Sequence, residues 1–178
     1  MSTSGRVNGD RDLNDGTTIA KLRVEQLKAR LQLIPHPEGG SYARMYASAL
    51  PVLSAARTRP AATAIWYLMG AGQCSLWHVV DTDEIWHHIE GETIIVLVYA
   101  PTTGIVERHR LGPFDDQAQP FLVVPAGCWQ AVLEVAEYAL CSCVVTPGFE
   151  FHGFSLIRDL ADQRHHFDGA LSEFEHLL

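Results

Sequence analysis

Residues 76–91 read LWHVVDTDEIWHHIEG, and the period of this stretch decides the fold. Apolar and polar residues alternate with a spacing of two, which predicts strands over 73–80 and 84–90 rather than a helix. In the first strand Leu76, His78 and Val80 share a face. In the second, Glu84, Trp86, His88 and Glu90 fall on one face and Ile85, His87 and Ile89 on the other. A large aromatic set among acids and a histidine is typical of a cavity lining, where an apolar wall carries a few placed polar groups. His78 then reaches the same cavity as Glu84.

The period of two continues outward from this centre. Strands are predicted near 41–47, 62–69, 92–99, 105–111, 120–124, 128–135 and 139–146, with EGET (90–93) and PTTG (101–104) as tight turns. So many short strands without intervening helices predict a sandwich or barrel, all-β with minor helices. Before them, residues 1–16 are polar and rich in Gly, Asn and Asp, and are read as a flexible tail. Thr17 or Thr18 caps a following helix whose Ala20, Val24, Leu27 and Leu31 form one apolar stripe, and Pro35 and Pro37 stop it. Near the end, Phe167, Leu171 and Phe174 predict a short closing helix, with His165 and His166 on its solvated side. No repeat or linker divides the chain, so 17–178 is read as a single domain.

Composition narrows the function classes. The 178-residue chain is 47% hydrophobic and 19% charged, so it buries a core without staples. A net charge of −8 repels nucleic-acid phosphate and anionic lipid alike. The longest apolar run, TIIVLVYA, is strand-sized, and the start lacks the hydrophobic segment of a signal peptide, so a cytoplasmic protein without nucleic-acid or membrane partners is expected. Cys74, Cys128, Cys141 and Cys143 show no CxxC spacing and read as reduced core thiols.

With the strands laid out, a resemblance emerges. The spacing His78-x-Val80-x₃-Glu84-x₆-Gly91 resembles the first motif of the cupin superfamily, and PAGCWQ (125–130) resembles its second, with Gln130 at the final histidine position. HPEGGSYARMY (36–46), DEIWHH (83–88), PAGCWQ and VVTPGFEFHGF (144–154) together resemble the cupin 5 branch, over roughly residues 20 to 160. The resemblance implies a cupin-type jelly-roll barrel of the RmlC-like kind, and by the same token a homodimer. It says less about chemistry, because one fold hosts many activities.

Metal-binding cupins use three histidines and a glutamate, and the resemblance places His78, Val80, Glu84 and Gln130 at those positions. Valine cannot ligate and an amide oxygen is a weak donor, while transition-metal sites need three or four good ligands. His88 points the same way as Glu84 but stands about 13 Å along the strand. No cofactor is therefore expected; a divalent metal, if held, would use His78, Glu84 and Gln130.

What remains is a histidine beside a carboxylate. In a partly dry pocket such a pair takes a proton from one substrate position and returns one to another; metal-free relatives implied by the resemblance are epimerases that pair a histidine base with a tyrosine acid, and Tyr42 and Tyr67 are available here. The plainer alternative is a hydrogen bond that satisfies two buried groups. Around the pair, Glu38, Tyr42, Arg44, Trp86, His88 and Gln130 are read as substrate-binding. Arg44 between Tyr42 and Tyr46 forms a fork for a carboxylate or phosphate, or else pairs with a structural acid. Phe149, Phe151 and Phe154 read as core or interface aromatics. The expectation is a metal-independent acid/base enzyme, an isomerase, epimerase, cyclase or lyase on a small polar metabolite, with His78 and Glu84 moving protons. The competing readings are a metal-dependent cupin oxygenase or lyase and a non-catalytic ligand-binding module.

Overall fold

The computed structural model describes residues 10–160 and 172–178. Two sheets face each other. The six-stranded sheet has the order β1 (Ile34–Pro35), β2 (Ser41–Ala47), β5 (Thr63–Gly70), β12 (Tyr138–Thr146), β7 (Asp83–Gly91), β10 (Phe121–Val124); the five-stranded sheet runs β13 (Phe154–Leu156), β6 (Ser75–Val80), β11 (Trp129–Val132), β8 (Ile94–Ala100), β9 (Ile105–Leu111). A hairpin of β3 (Pro51–Ser54) and β4 (Arg57–Pro60) stands apart. The nine strands expected from alternation are all present. The ones it missed, β1, the β3–β4 hairpin and β13, are two to four residues long, too short to display a period.

The chain repeatedly changes sheet at its corners. β6 belongs to one sheet and β7 to the other, joined by Asp81 and Thr82 alone, and β8 returns to the first sheet. Consequently EGET is a corner between sheets, while PTTG closes the β8–β9 hairpin. The β6–β7 corner puts His78 and Glu84 on opposing sheets, and both line one cleft.

Between the sheets lies the main core, with Tyr67, Met69, Trp86, Cys141 and Cys143 from one side and Val96, Val98 and Val132 from the other. Each sheet also has a covered outer face. Trp77, Leu97 and Trp129 are sealed by Ile157, Phe174 and Leu177. On the other side α1 (Asp10–Leu31) lays Val24 and Leu27 on Leu68 and Leu140, and Ala20, Val24 and Leu27 are buried as their spacing predicted.

Helix α1 departs from expectation at both ends. It begins at Asp10, inside the stretch read as a tail, so neither Thr17 nor Thr18 is its cap. It ends before the prolines: Gln32 takes a left-handed φ of 54° and Leu33 N–H returns to the Lys28 carbonyl at 3.0 Å. Residues 1–9 and Phe167, Leu171, His165 and His166 lie outside the described residues; from 172 onward the chain forms 3-10 turns that include Phe174. Among the described residues no helix is long and apolar enough to cross a membrane. All four cysteines are free.

Candidate functional site

Glu38 organises the site. It sits in a turn where Gly39 and Gly40 take φ of 116° and 64°, conformations that only glycine adopts without strain. His36 N–H bonds the Gly40 carbonyl, Gly39 N–H bonds the His36 carbonyl, and Leu76 N–H bonds the Glu38 carbonyl at 2.8 Å, which ties the turn to β6. Tyr67 donates its hydroxyl to the Gly39 carbonyl at 2.9 Å. So held, the Glu38 side chain points inward, 5% exposed.

Two imidazoles converge on one oxygen of that carboxyl. His78 Nε2 stands 3.3 Å from Glu38 Oε2 and His36 Nδ1 stands 3.4 Å from the same atom, while Ser75 Oγ donates to Glu38 Oε1 at 3.1 Å. His78 Nδ1 lies 2.8 Å from the Leu76 carbonyl, which can only accept, so Nδ1 carries a proton. A neutral His78 therefore turns a lone pair toward Glu38. Burial pushes Glu38 above the ordinary carboxyl value and pulls His78 below the ordinary imidazole value, so both shifts favour one proton on the carboxyl, facing the ring.

Glu84 is the second acid of the cleft. Burial raises it to about 7, Glu38 adds to the rise, and His78, Gln130 and Cys143 oppose it. Gln130 donates Nε2 to Glu84 Oε2 at 2.5 Å and accepts the Trp86 indole N–H on Oε1 at 2.9 Å. Burial likewise lowers His36, whose Nδ1 has no hydrogen-bond partner.

Above these groups opens a narrow cleft with about 30 Å3 of enclosed room, or about 470 Å3 when the space out to open solvent is counted. Tyr42 and Arg44 come to it from β2, Thr63, Ile65 and Tyr67 from β5, Cys143 and Val145 from β12, and Phe149 and Phe154 from the segment after β12. Phe149 and Phe154 therefore belong to the site, where composition alone read them as core or interface.

The expected site residues divide into three sets. Glu38, Tyr42, Arg44, His78 and Glu84 line the cleft together. Trp86 and Gln130 do not line it: both are buried to 1% exposure, with Gln130 bonded to Glu84 and Trp86 to Gln130. His88 lies opposite Cys141 with its Nε2 on the Glu92 carbonyl at 3.1 Å, and it does not line the cleft. A register shift in β7 between His88 and Glu90 also turns Glu90 outward, where it binds Arg23 of α1 at 2.6 and 2.8 Å. Strict alternation had placed it with Glu84.

The pairing of His78 also differs from expectation. Its contact is Glu38, with Glu84 acting through its field. His36 was missed altogether, although HPEGG sets it two residues from Glu38.

The positions that metal-binding cupins use fall, by the resemblance, on His78, Val80, Glu84 and Gln130, and the donors there do not fit an ion. Val80 offers no donor, both ends of the Gln130 amide are committed to Trp86 and Glu84, and among the described residues no group of three or more His, Cys, Asp or Glu is arranged to hold an ion.

Comparison with known proteins agrees with the architecture. The family model Cupin_5, described as cupin superfamily (DUF985), matches residues 25–157. A hypothetical protein from Leishmania major is 27% identical, with 78% of this chain and 92% of that one covered at a TM-score of 0.70. A protein from Shewanella oneidensis is 26% identical, with 82% and 93% covered at a TM-score of 0.70. Oxalate decarboxylase from Bacillus subtilis, 15% identical over 81% of this chain and 36% of its own at a TM-score of 0.55, shares the fold alone. No curated protein matches the chain.

Proposed function

The chain belongs to the Cupin_5 family, and on that premise we propose that it is a metal-independent acid/base enzyme acting on a small metabolite, of the isomerase, epimerase, cyclase or lyase kind. The observation that carries this reading is a pair of buried carboxyls, Glu38 and Glu84, lining one cleft with His78 against the first. Glu84, which burial raises to about 7, serves as the base. Glu38, its proton facing His78 Nε2 across 3.3 Å, serves as the acid, and His78 steadies that proton. Two carboxyls in different settings, Glu38 against an imidazole and Glu84 against an amide, suit a site that removes a proton at one atom and returns one at another. Arg44 at the mouth supports an anionic group on the substrate.

Solvent-deuterium exchange tests the reading. The full chain is incubated in D2O with a panel of 2-oxo acids, 2-hydroxy acids and 3-oxo acids, and carbon-bound deuterium is followed by proton NMR. Enzyme-dependent exchange at one carbon is expected, unchanged by prior dialysis against EDTA. It should fall at least 100-fold in Glu84→Gln and in His78→Asn, both folded by circular dichroism. Exchange that vanishes with EDTA and returns with a divalent metal would refute the proposal.

A further inference from the structure

The polar atoms of the cleft are nearly all committed to the protein. Tyr67 hydroxyl is bound to the Gly39 carbonyl, Thr63 Oγ1 accepts the Phe149 N–H, His78 Nδ1 is bound to the Leu76 carbonyl, and one oxygen of each glutamate is occupied by Ser75 or Gln130. What remains open to a ligand is a short inventory. Arg44 makes no hydrogen bond or ion pair among the described residues, and the Tyr42 hydroxyl makes none.

Arg44 is the one permanently charged group on the lining, and every other basic group there is an imidazole lowered by burial. A diphosphate or a nucleotide would need several cations. A sugar would leave most of its hydroxyls without partners in the cleft, at about 1–3 kcal/mol each.

The walls select the body of the ligand. Phe154 meets Phe149 at 5.9 Å, His36 at 5.9 Å and His78 at 5.5 Å between ring centres, and His36 stands edge-on to Tyr42 at 4.6 Å. Ile65, Val80 and Val145 fill the gaps. The wall thus offers ring faces and edges for a flat partner to pack against. Resting on the acid/base reading for its chemistry but not for its test, we propose that the cleft takes a flat, unsaturated or aromatic monocarboxylate. Its carboxylate lies on Arg44, its planar body packs on the aromatic wall that Phe149 and Phe154 form together, and its reactive carbon faces Glu38 and Glu84.

Binding tests this without turnover. Cinnamate, the neutral cinnamyl alcohol, cyclohexanecarboxylate and glucose 1-phosphate are titrated into the full chain at pH 7 by calorimetry and saturation-transfer NMR. Cinnamate is expected to bind at least tenfold more tightly than the other three. Arg44→Gln should weaken cinnamate at least tenfold and leave cinnamyl alcohol within twofold, and Phe149→Leu should remove the preference for cinnamate over cyclohexanecarboxylate. Absence of cinnamate binding, tighter binding of glucose 1-phosphate, or indifference of cinnamate to Arg44→Gln would each overturn the assignment. Cinnamate binding that persists in Glu84→Gln while no panel compound exchanges deuterium would reject the acid/base reading and leave this one standing.

Discussion

Trp86 donates its indole N–H to Gln130 Oε1 at 2.9 Å, and this bond decides which way the amide faces. An indole can only donate, so the oxygen must turn to Trp86 and the N–H₂ to Glu84. The residue standing where the superfamily has a metal-binding histidine is therefore a clamp on a carboxyl. The first prediction follows: Gln130→Leu strands a buried indole N–H and a buried carboxyl, which costs about 2–4 kcal/mol and lowers Tm by roughly 5–15 °C. It also removes a bond that holds Glu84 down, so the infrared band of its protonated carboxyl should persist to higher pH. A variant with the parent Tm and the parent infrared titration would show that the clamp has no such role.

Glu84→Gln should stabilise the protein at high pH. The folded value of about 7 lies above the ordinary 4.5, so the folded state holds this proton more tightly than the unfolded state. The stabilising contribution is complete below pH 4.5 and is lost as pH rises through about 7. At pH 9 the buried charge costs on the order of 3 kcal/mol, which a glutamine does not incur while its oxygen still accepts from Gln130. Denaturant midpoints should coincide near pH 4.5 and diverge in favour of Glu84→Gln by pH 9. Parallel curves across that range would mean that Glu84 titrates normally.

His78 is lowered, chiefly by burial, and its sign is opposite. A neutral ring in the folded state contributes stability that is present above pH 6.5 and lost as pH falls below it. The hydrogen bond to the Leu76 carbonyl fixes the proton on Nδ1. Nitrogen-15 NMR of the imidazoles should therefore show one ring in the Nδ1–H tautomer at pH 7 that titrates below the ordinary imidazole value and disappears in His78→Asn. A His78 resonance that is cationic at pH 7 would place the proton on the ring and ionise Glu38.

Much of this fold was legible because most of the long strands' residues alternate: His78 and Val80, or Cys141 and Cys143, face as their spacing says. Legibility failed where alternation is broken by one residue. The register shift after His88 carries Glu90 to the helix face, and no local composition marks it. The site was legible in residue type but not in depth. Trp86 and Gln130 share the inward face with Glu84, and only the curvature of the two sheets decides that they lie under the cleft while Tyr42 and Arg44 rim it. The partnership of His78 with Glu38 joins residues forty positions apart through a turn closed by Gly39 and Gly40, a long-range contact that strand periodicity does not encode.

That turn supplies the last prediction. A Cβ on Gly39 would stand 2.3 Å from the Cys74 carbonyl oxygen, a backbone atom that cannot swing aside, and φ of 116° is strained for any side chain. Gly39→Ala must therefore pull the turn off β6. Because Leu76 N–H is bound to the Glu38 carbonyl, the same movement withdraws the Glu38 carboxyl from His78. Gly72 provides the control, since its φ is 76° but a Cβ there meets nothing within 4 Å. Gly72→Ala should cost about 1–2 kcal/mol, the left-handed penalty alone, whereas Gly39→Ala should cost more than about 3 kcal/mol and shift the His78 nitrogen resonances as well. Equal losses in the two variants, with His78 unmoved, would mean that the close approach to Cys74 does not hold Glu38 in place.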